Sequence, residues 1–284
     1  MINVPSLYNT LWTQKVEQMN NRKMMLVENG YTHSEPKTLN CISFMHSQGF
    51  EKIDFNTFKG NEYLIKYASQ EQFDYVVERL NDEVKLLVIG VSPKIKDFTS
   101  IESLNNLEYI CIKWNNTATR LWDMGKNLKL KEVALAEFKK LNSLEDFKTA
   151  GHIKGLQLDG GLEVKWKVEN FEPLTSLVCL KILRLFEIMP KIGGFEPLFK
   201  LLQLERLDIS QNILSTEEYA KLAAHLNNTY SEVFNGVLYD EYLNEILLVG
   251  KGKRALILDK VSDREKAEKF RNEFLHMVKS YQEV

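Results

Sequence analysis

Six times between residues 84 and 209 the chain repeats one phrase: an aliphatic residue, two others, an aliphatic, one other, an aliphatic. The copies are Val84-Leu87-Ile89, Leu107-Ile110-Ile112, Leu130-Val133-Leu135, Ile153-Leu156-Leu158, Leu180-Leu183-Leu185 and Leu204-Leu207-Ile209. Their first residues lie 23, 23, 23, 27 and 24 apart. The last two aliphatics of each copy are two apart, so both point to one face of a short strand. Nine residues before five of the strand starts stands another apolar residue: Phe98, Leu121, Leu144, Phe171 and Phe195. Three residues on come Ile101, Met124, Phe147, Leu174 and Leu198. A spacing of three predicts a helical or 3₁₀ return behind each strand. Phe171-Glu172-Pro173-Leu174 returns as Phe195-Glu196-Pro197-Leu198, 24 residues later.

A lone unit of this kind does not fold. It buries five or six large side chains at roughly 1.5–3 kcal/mol each, against a backbone cost of about 1–2 kcal/mol per residue. Stacking strand on strand into a parallel sheet supplies the rest, and the end units need caps. An ordinary α/β crossover carries a helix of ten residues or more, for which 23 residues per unit is too short. The expected fold is therefore an α/β solenoid: a curved parallel sheet with a concave strand face and helical or 3₁₀ returns on the convex side.

The L-x-x-L-x-L spacing resembles the leucine-rich repeat family. The family's Asn after the strand matches at Asn115 and Asn212, while Ser92, Phe138, Gly161 and Ile188 stand at the other four equivalents, so the repeats are degenerate. Repeat length and loose consensus are similar to bacterial members. The resemblance implies a protein-binding scaffold. The long unit carries four extra residues near Leu162 to Val168, where Leu162, Val164, Trp166 and Val168 alternate with other residues like a short added strand.

Three segments are expected: an α/β N-terminal cap over residues 1–81, about six leucine-rich repeats over 82–227, and a C-terminal α/β cap over 228–284. In the first, Leu7, Leu11, Trp12, Val16 and Met19 share one helical face, Tyr63 to Tyr67 is a strand, and Gln70 to Leu80 is a helix. In the second, Ser215 or Thr216 caps a helix to Asn227. In the third, Phe234 to Tyr239 is a strand, Glu245–Val249 and Arg254–Leu258 form a hairpin, and Ser262 or Asp263 starts a last helix.

A net charge of −2 and a pI of 6.3 argue against a general nucleic-acid or membrane surface. No apolar run approaches the ~18 residues of a membrane span. Met1-Ile2-Asn3-Val4-Pro5 is not a signal peptide, and the widely spaced Cys41, Cys111 and Cys179 read as reduced thiols, so a cytoplasmic protein is expected. Gly250-Lys251-Gly252-Lys253-Arg254 lacks the phosphate-loop spacing and reads as a basic hairpin turn. No two histidines, and no His and Cys, stand at metal-ligand helical spacing, and no nucleophile or dinucleotide motif is present. Some bacterial leucine-rich-repeat effectors carry a C-terminal ubiquitin-ligase domain with a nucleophilic Cys, and this chain has no Cys after residue 179. No catalytic residue, metal or cofactor is expected.

What remains is the concave face. The residues between and after the aliphatics point outward there, and twelve are candidates for binding a protein partner: Tyr109, Lys113, Trp114, Glu132, Glu137, Gln157, Asp159, Arg184, Phe186, Glu187, Arg206 and Asp208. Trp, Tyr and Arg are the types enriched at interface hot spots. The mixed charge suits a folded protein more than a polyanion. The expected function is a non-enzymatic interaction module, an adaptor or an immunity protein that sequesters a toxin. The alternative is an enzyme or small-ligand-binding protein with its site in a cap.

Overall fold

The computed structural model describes residues 27–28, 31–32, 40–44, 53, 55–57, 60–80, 83–161 and 165–283. The helix expected over Leu7 to Met19 and residues 162–164 of the added strand lie outside them.

A short antiparallel pair, β1 (Val27–Glu28) and β2 (Tyr31–Thr32), precedes the main sheet. The main sheet is wholly parallel. It holds β3 (Asn40–Ser43), β4 (Glu62–Lys66), β5 (Leu86–Gly90), β6 (Tyr109–Lys113), β7 (Glu132–Ala136), β8 (Gly155–Asp159), β10 (Ile182–Phe186) and β12 (Arg206–Ile209), in that order. The register puts the last two aliphatics of every copy against their counterparts. Leu87, Ile110, Val133, Leu156, Leu183 and Leu207 form one row, and Ile89, Ile112, Leu135, Leu158, Leu185 and Ile209 the next. All twelve are buried.

The returns are 3₁₀ helices: Thr99–Ser103, Met124–Lys126, Glu145–Thr149, Glu172–Ser176 and Glu196–Lys200. In four of them the same bond recurs, Ile101 N–H to Phe98 C=O, Phe147 to Leu144, Leu174 to Phe171 and Leu198 to Phe195, at 2.9–3.0 Å. This i→i+3 turn aims both apolar residues of each return at the back of the sheet.

The sheet runs without a break across the expected boundary at residue 82. Tyr63 and Ile65 of β4 lie opposite Leu87 and Ile89, and Asn40 and Ile42 of β3 lie opposite Tyr63 and Ile65. Between β4 and β5 the return is a true helix, α1 (Gln70–Val77), started by a Ser69/Gln72 capping box and burying Phe73, Val76 and Val77.

The position after the strands has two solutions. Asn115 is buried, its Nδ2 donates to the Ser92 and Ile95 carbonyls at 3.1 and 2.8 Å, and its Oδ1 accepts from the Thr117 and Ala118 N–H groups. Asn212, the other family match, is exposed. Phe138 and Ile188 fill their equivalents with apolar volume and are fully buried. Phe138 joins a line of ring contacts, Phe73 to Phe98 at 5.7 Å, Phe98 to Phe138 at 6.2 Å and Phe138 to Trp166 at 5.8 Å. Trp166 belongs to the added strand β9 (Trp166–Val168), which pairs in parallel with β11 (Ile188–Pro190) as a second, two-stranded sheet. On the return side, Asn127 is buried and bonds the Ile101 and Leu104 carbonyls, both at 3.0 Å, and the Trp122 indole at 2.7 Å. No repeat pattern marks this residue in the sequence.

After β12 comes α2 (Thr216–His225), with the expected Ser215 cap completed by Glu218. Residues 229–230 then meet the edge of β12: Tyr230 N–H donates to Glu205 C=O and Leu207 N–H to Tyr230 C=O, both at 2.9 Å. A three-stranded antiparallel sheet follows, β13 (Val237–Asp240), β14 (Glu245–Leu248) and β15 (Leu256–Ile257), and then α3 (Val261–Gln282). β14 and β15 pair across the glycine-lysine turn as expected. Two boundaries differ. The strand expected from Phe234 starts at Val237, because Glu232–Asn235 is a 3₁₀ turn closed by left-handed Gly236 (φ 78°). A Cβ on Gly236 would lie 2.8–2.9 Å from the Phe274 ring. The last helix starts at Val261, and Asp263 sits inside it, where its carboxylate accepts from Ile257 N–H at 3.3 Å and ties the helix to β15.

Asn115→Ala is expected to cost about 3 kcal/mol, since it strands buried backbone donors and acceptors, whereas exposed Asn212→Ala stays within about 0.5 kcal/mol. Urea unfolding of both variants checks this, and equal midpoints would remove Asn115 from the structural account.

Candidate functional site

Alternate strand residues face away from the core, and the register sorts them into three rows across the concave face. The first runs Leu86, Tyr109, Glu132, Gly155, Ile182, Arg206, and the second Leu64, Val88, Cys111, Ala134, Gln157, Arg184, Asp208. The third includes Lys113, Ala136, Asp159 and Phe186. The rows change character midway. Leu64, Leu86, Val88, Cys111 and Ala134 form a buried apolar cluster with Tyr109 against it. Beyond β7 the same rows carry Gln157, Asp159, Arg184, Arg206 and Asp208.

The expected site residues fall into distinct settings. Tyr109, Lys113, Glu132, Gln157, Asp159, Phe186, Arg206 and Asp208 are half-buried on the face. Glu132 lies over Gly155, where a Cβ would come within 2.9 Å of its Cγ. Arg206 Nε donates to both Asp208 oxygens, at 2.9 and 3.1 Å, so this pair is closed on itself. Glu232, from beyond the repeats, is held above the usual carboxylate range by burial and by the Asp208 charge, against a smaller pull from Arg206.

Arg184 is not a surface group. It is 3% exposed, its Nη2 is 4.0 Å from the Asp159 carboxylate, and its guanidinium carbon is 5.7 Å from the Phe186 ring centre. Its Nη1 is buried without a hydrogen-bond partner among the described residues. What it presents outward is the orientation of Asp159 and Phe186.

Trp114, Glu137 and Glu187 lie one residue beyond the strands, on a rim. All three have left-handed backbones (φ 55°, 59° and 47°), as do Tyr67 (59°) and Val91 (47°) at the equivalent places. Neighbouring units hold this conformation. Trp114 N–H donates to Ala136 C=O at 3.0 Å, Glu137 N–H to Asp159 C=O at 2.7 Å and Glu187 N–H to the Ser210 hydroxyl at 3.0 Å. A non-glycine residue in this region costs about 1–2 kcal/mol, which is why such positions concentrate where structure or function over-determines them. Trp114 is 47% exposed, yet its indole N–H is bonded to the Glu137 carboxylate. The outward register of these residues is legible in the sequence, but their left-handed turn is not.

Two wider grooves lie elsewhere. One of about 600 Å³ on the return side is walled by Glu102, Asp123 and Asp146. These carboxylates accept backbone N–H groups of Asp123, Gly125 and Leu121 at 2.8–3.0 Å, so they brace the returns. Another, of about 570 Å³, lies between the last repeat and the glycine-lysine turn, at the start of α2. The Glu218 carboxylate takes the Ser215 N–H there at 2.8 Å, filling the place an anion would use. Among the described residues no three His, Cys, Asp or Glu side chains are grouped to hold a metal ion, and no helix is long and apolar enough to cross a membrane.

Burial pushes the Cys111 thiol up to about 11, against a smaller downward pull from Lys113. Its ordinary value is 9.0, so the unfolded chain ionises first and this group withdraws stability as pH rises past 9.0. With iodoacetamide at about pH 8, exposed Cys179 is expected to alkylate and Cys111 to stay protected. Peptide mapping reads this directly, and labelling of both at one rate would mean that the concave apolar cluster is open.

No protein-family model matches the sequence, and no curated protein matches it. Similar solved structures include an internalin (inlF) of Listeria monocytogenes, 15% identical with a TM-score of 0.44, covering 60% of this chain and 46% of its own. An internalin C2 of the same organism is 17% identical with a TM-score of 0.39, covering 54% of this chain and 62% of its own. A leucine-rich-repeat protein of Leptospira interrogans is 16% identical with a TM-score of 0.46, covering 60% of this chain and 41% of its own. This chain thus spans between 41% and 62% of the length of those structures. The assignment stands on the molecule's own geometry. Aliphatic rows in a parallel sheet, 3₁₀ returns and a buried turn asparagine give this chain the fold of a leucine-rich-repeat solenoid.

Proposed function

We propose that the chain is a non-enzymatic interaction module whose protein partner docks on the concave face from β6 onward and on the adjoining rim. One observation carries this: Trp114 is half exposed while its backbone is left-handed and its indole N–H is fixed by Glu137. A large aromatic held rigid in solvent loses little entropy on binding and offers both apolar area and a donor edge. Phe186 adds apolar area, and Lys113, Gln157, Asp159, Glu187, Arg206 and Asp208 supply the polar surround, with Tyr109 and Glu132 at the border of the apolar cluster. Arg184 acts through Asp159 and Phe186 rather than by contact.

Residues 229–230 pair with the edge of β12 at the far end of the stack, and β3 and β4 extend the sheet at the near end. Two roles fit such a module, an adaptor joining two proteins and an immunity protein that sequesters one toxin. A cytoplasmic setting agrees with free thiols at Cys111 and Cys179.

The test is capture from a native lysate, with wild type and a Trp114→Ala/Phe186→Ala variant side by side and their thermal midpoints matched. One stoichiometric protein retained by wild type and weakened about ten-fold or more in the variant is expected. Equal retention by both would end the concave-face assignment.

A further inference from the structure

The inserted strand builds a recess of its own. Pairing of β9 with β11 brings residues 165–168 and 188–190 beside the turn after β7. A pocket of about 360 Å³ opens there, walled by Lys139, Lys165, Lys167 and Lys191, with Glu137 as the one acidic residue in its lining among the described residues. Lys165 lies 3.8 Å from Glu187. Lys139, Lys167 and Lys191 are exposed and take part in no ion pair among the described residues. Elsewhere on the solenoid Lys131, Lys181 and Lys200 each meet a carboxylate of a neighbouring unit. Three ammonium groups without ion-pair partners repel one another, and an anion in the recess reverses that cost.

The recess is rigid. Its floor is the Phe138–Trp166 stack, at 5.8 Å and 20°, and the Trp166 indole donates to Leu141 C=O at 2.6 Å. Lys191 N–H donates to Val168 C=O at 2.8 Å. At Gly160 a Cβ would lie 2.2 Å from Glu187 O, so the crossing chains approach as only glycine allows. The lysines are thus carried on a fixed frame, which lowers the entropy lost on binding.

We infer that this recess takes carboxylate side chains from an acidic segment of the protein partner. This rests on the interaction-module function and names the partner's chemistry. The pocket is near the lower end of ligand-sized sites, roughly 300–1,000 Å³, and so suits one or two side chains. Glu137 in the lining and Glu187, 3.8 Å from Lys165, oppose an extended phosphate backbone, as does the net charge of −2.

The test uses the full chain and two fluorescein-labelled octapeptides, one alternating Glu and Gly, the other Gln and Gly, followed by anisotropy at about 20 mM ionic strength, where charge pairs are least screened. Wild type is expected to prefer the Glu peptide by about ten-fold or more. Lys139→Glu/Lys167→Glu/Lys191→Glu loses the preference, while Lys94→Glu/Lys126→Glu/Lys279→Glu, with the same change in charge, keeps it within about two-fold. No preference in wild type, or equal loss in both variants, overturns the inference. So does a lysine-dependent oligonucleotide complex tighter than the peptide's. The Trp114→Ala/Phe186→Ala variant retains all four lysines and is expected to bind the Glu peptide like wild type. A retained peptide preference with failed partner capture therefore sinks the concave-face assignment alone, and the converse sinks this one alone.

Discussion

Everything in this molecule depends on one lateral constraint: each short parallel strand has its backbone satisfied only by the unit beside it. The register therefore cannot slip. A shift of one residue would turn both aliphatic rows outward and bury Gln157, Asp159 and Asp208. The same lateral logic extends past the strands. The left-handed residues at Trp114, Glu137 and Glu187 donate their N–H groups to the next unit, so neighbours offset a conformation that no single unit would hold. At the C-terminal end, where there is no next repeat, residues 229–230 take over the pairing and Thr229 Oγ1 bonds Leu204 C=O at 2.7 Å.

Within that constraint the turn position is free to choose its chemistry. Asn115 satisfies four backbone groups at once and tolerates no partial substitute, because a half-satisfied buried amide is worse than an apolar side chain. Phe138 and Ile188 take the apolar course. That choice needs volume to fill, and Trp166 on the inserted strand supplies it by stacking on Phe138. The departure from the family's asparagine and the extra residues of the long repeat are thus one structural event.

The six aliphatic phrases were legible because both inward positions kept Leu, Ile or Val, and the 3₁₀ returns because their apolar residues stand three apart. β4 was legible as a strand but not as a repeat, since Gly60 and Tyr63 stand where Val84 and Leu87 stand one unit later. β3 hides behind Asn40, a buried amide within 3.5 Å of Glu62 C=O. The left-handed rim was not legible, because Trp, Val and Glu do not favour that conformation and tertiary hydrogen bonds impose it. For the candidate site, alternation told which face a residue occupies and not how deep it lies. Arg184 has the outward register and the residue type of a hot spot, yet its neighbours close over it.

The insertion also decides where recognition can concentrate. Leu64, Leu86, Val88, Cys111 and Ala134 on the concave face are already buried, so they have little left to gain from a partner. The candidate polar positions fall mostly on β7 and the strands after it, and the lysine recess adjoins the turn after β7. Glu137 belongs to two of these surfaces. Its N–H is held by Asp159, its carboxylate fixes the Trp114 indole, and its side chain walls the recess. Rim and recess thus share one frame while presenting different chemistries, an aromatic edge on one side and ammonium groups on the other.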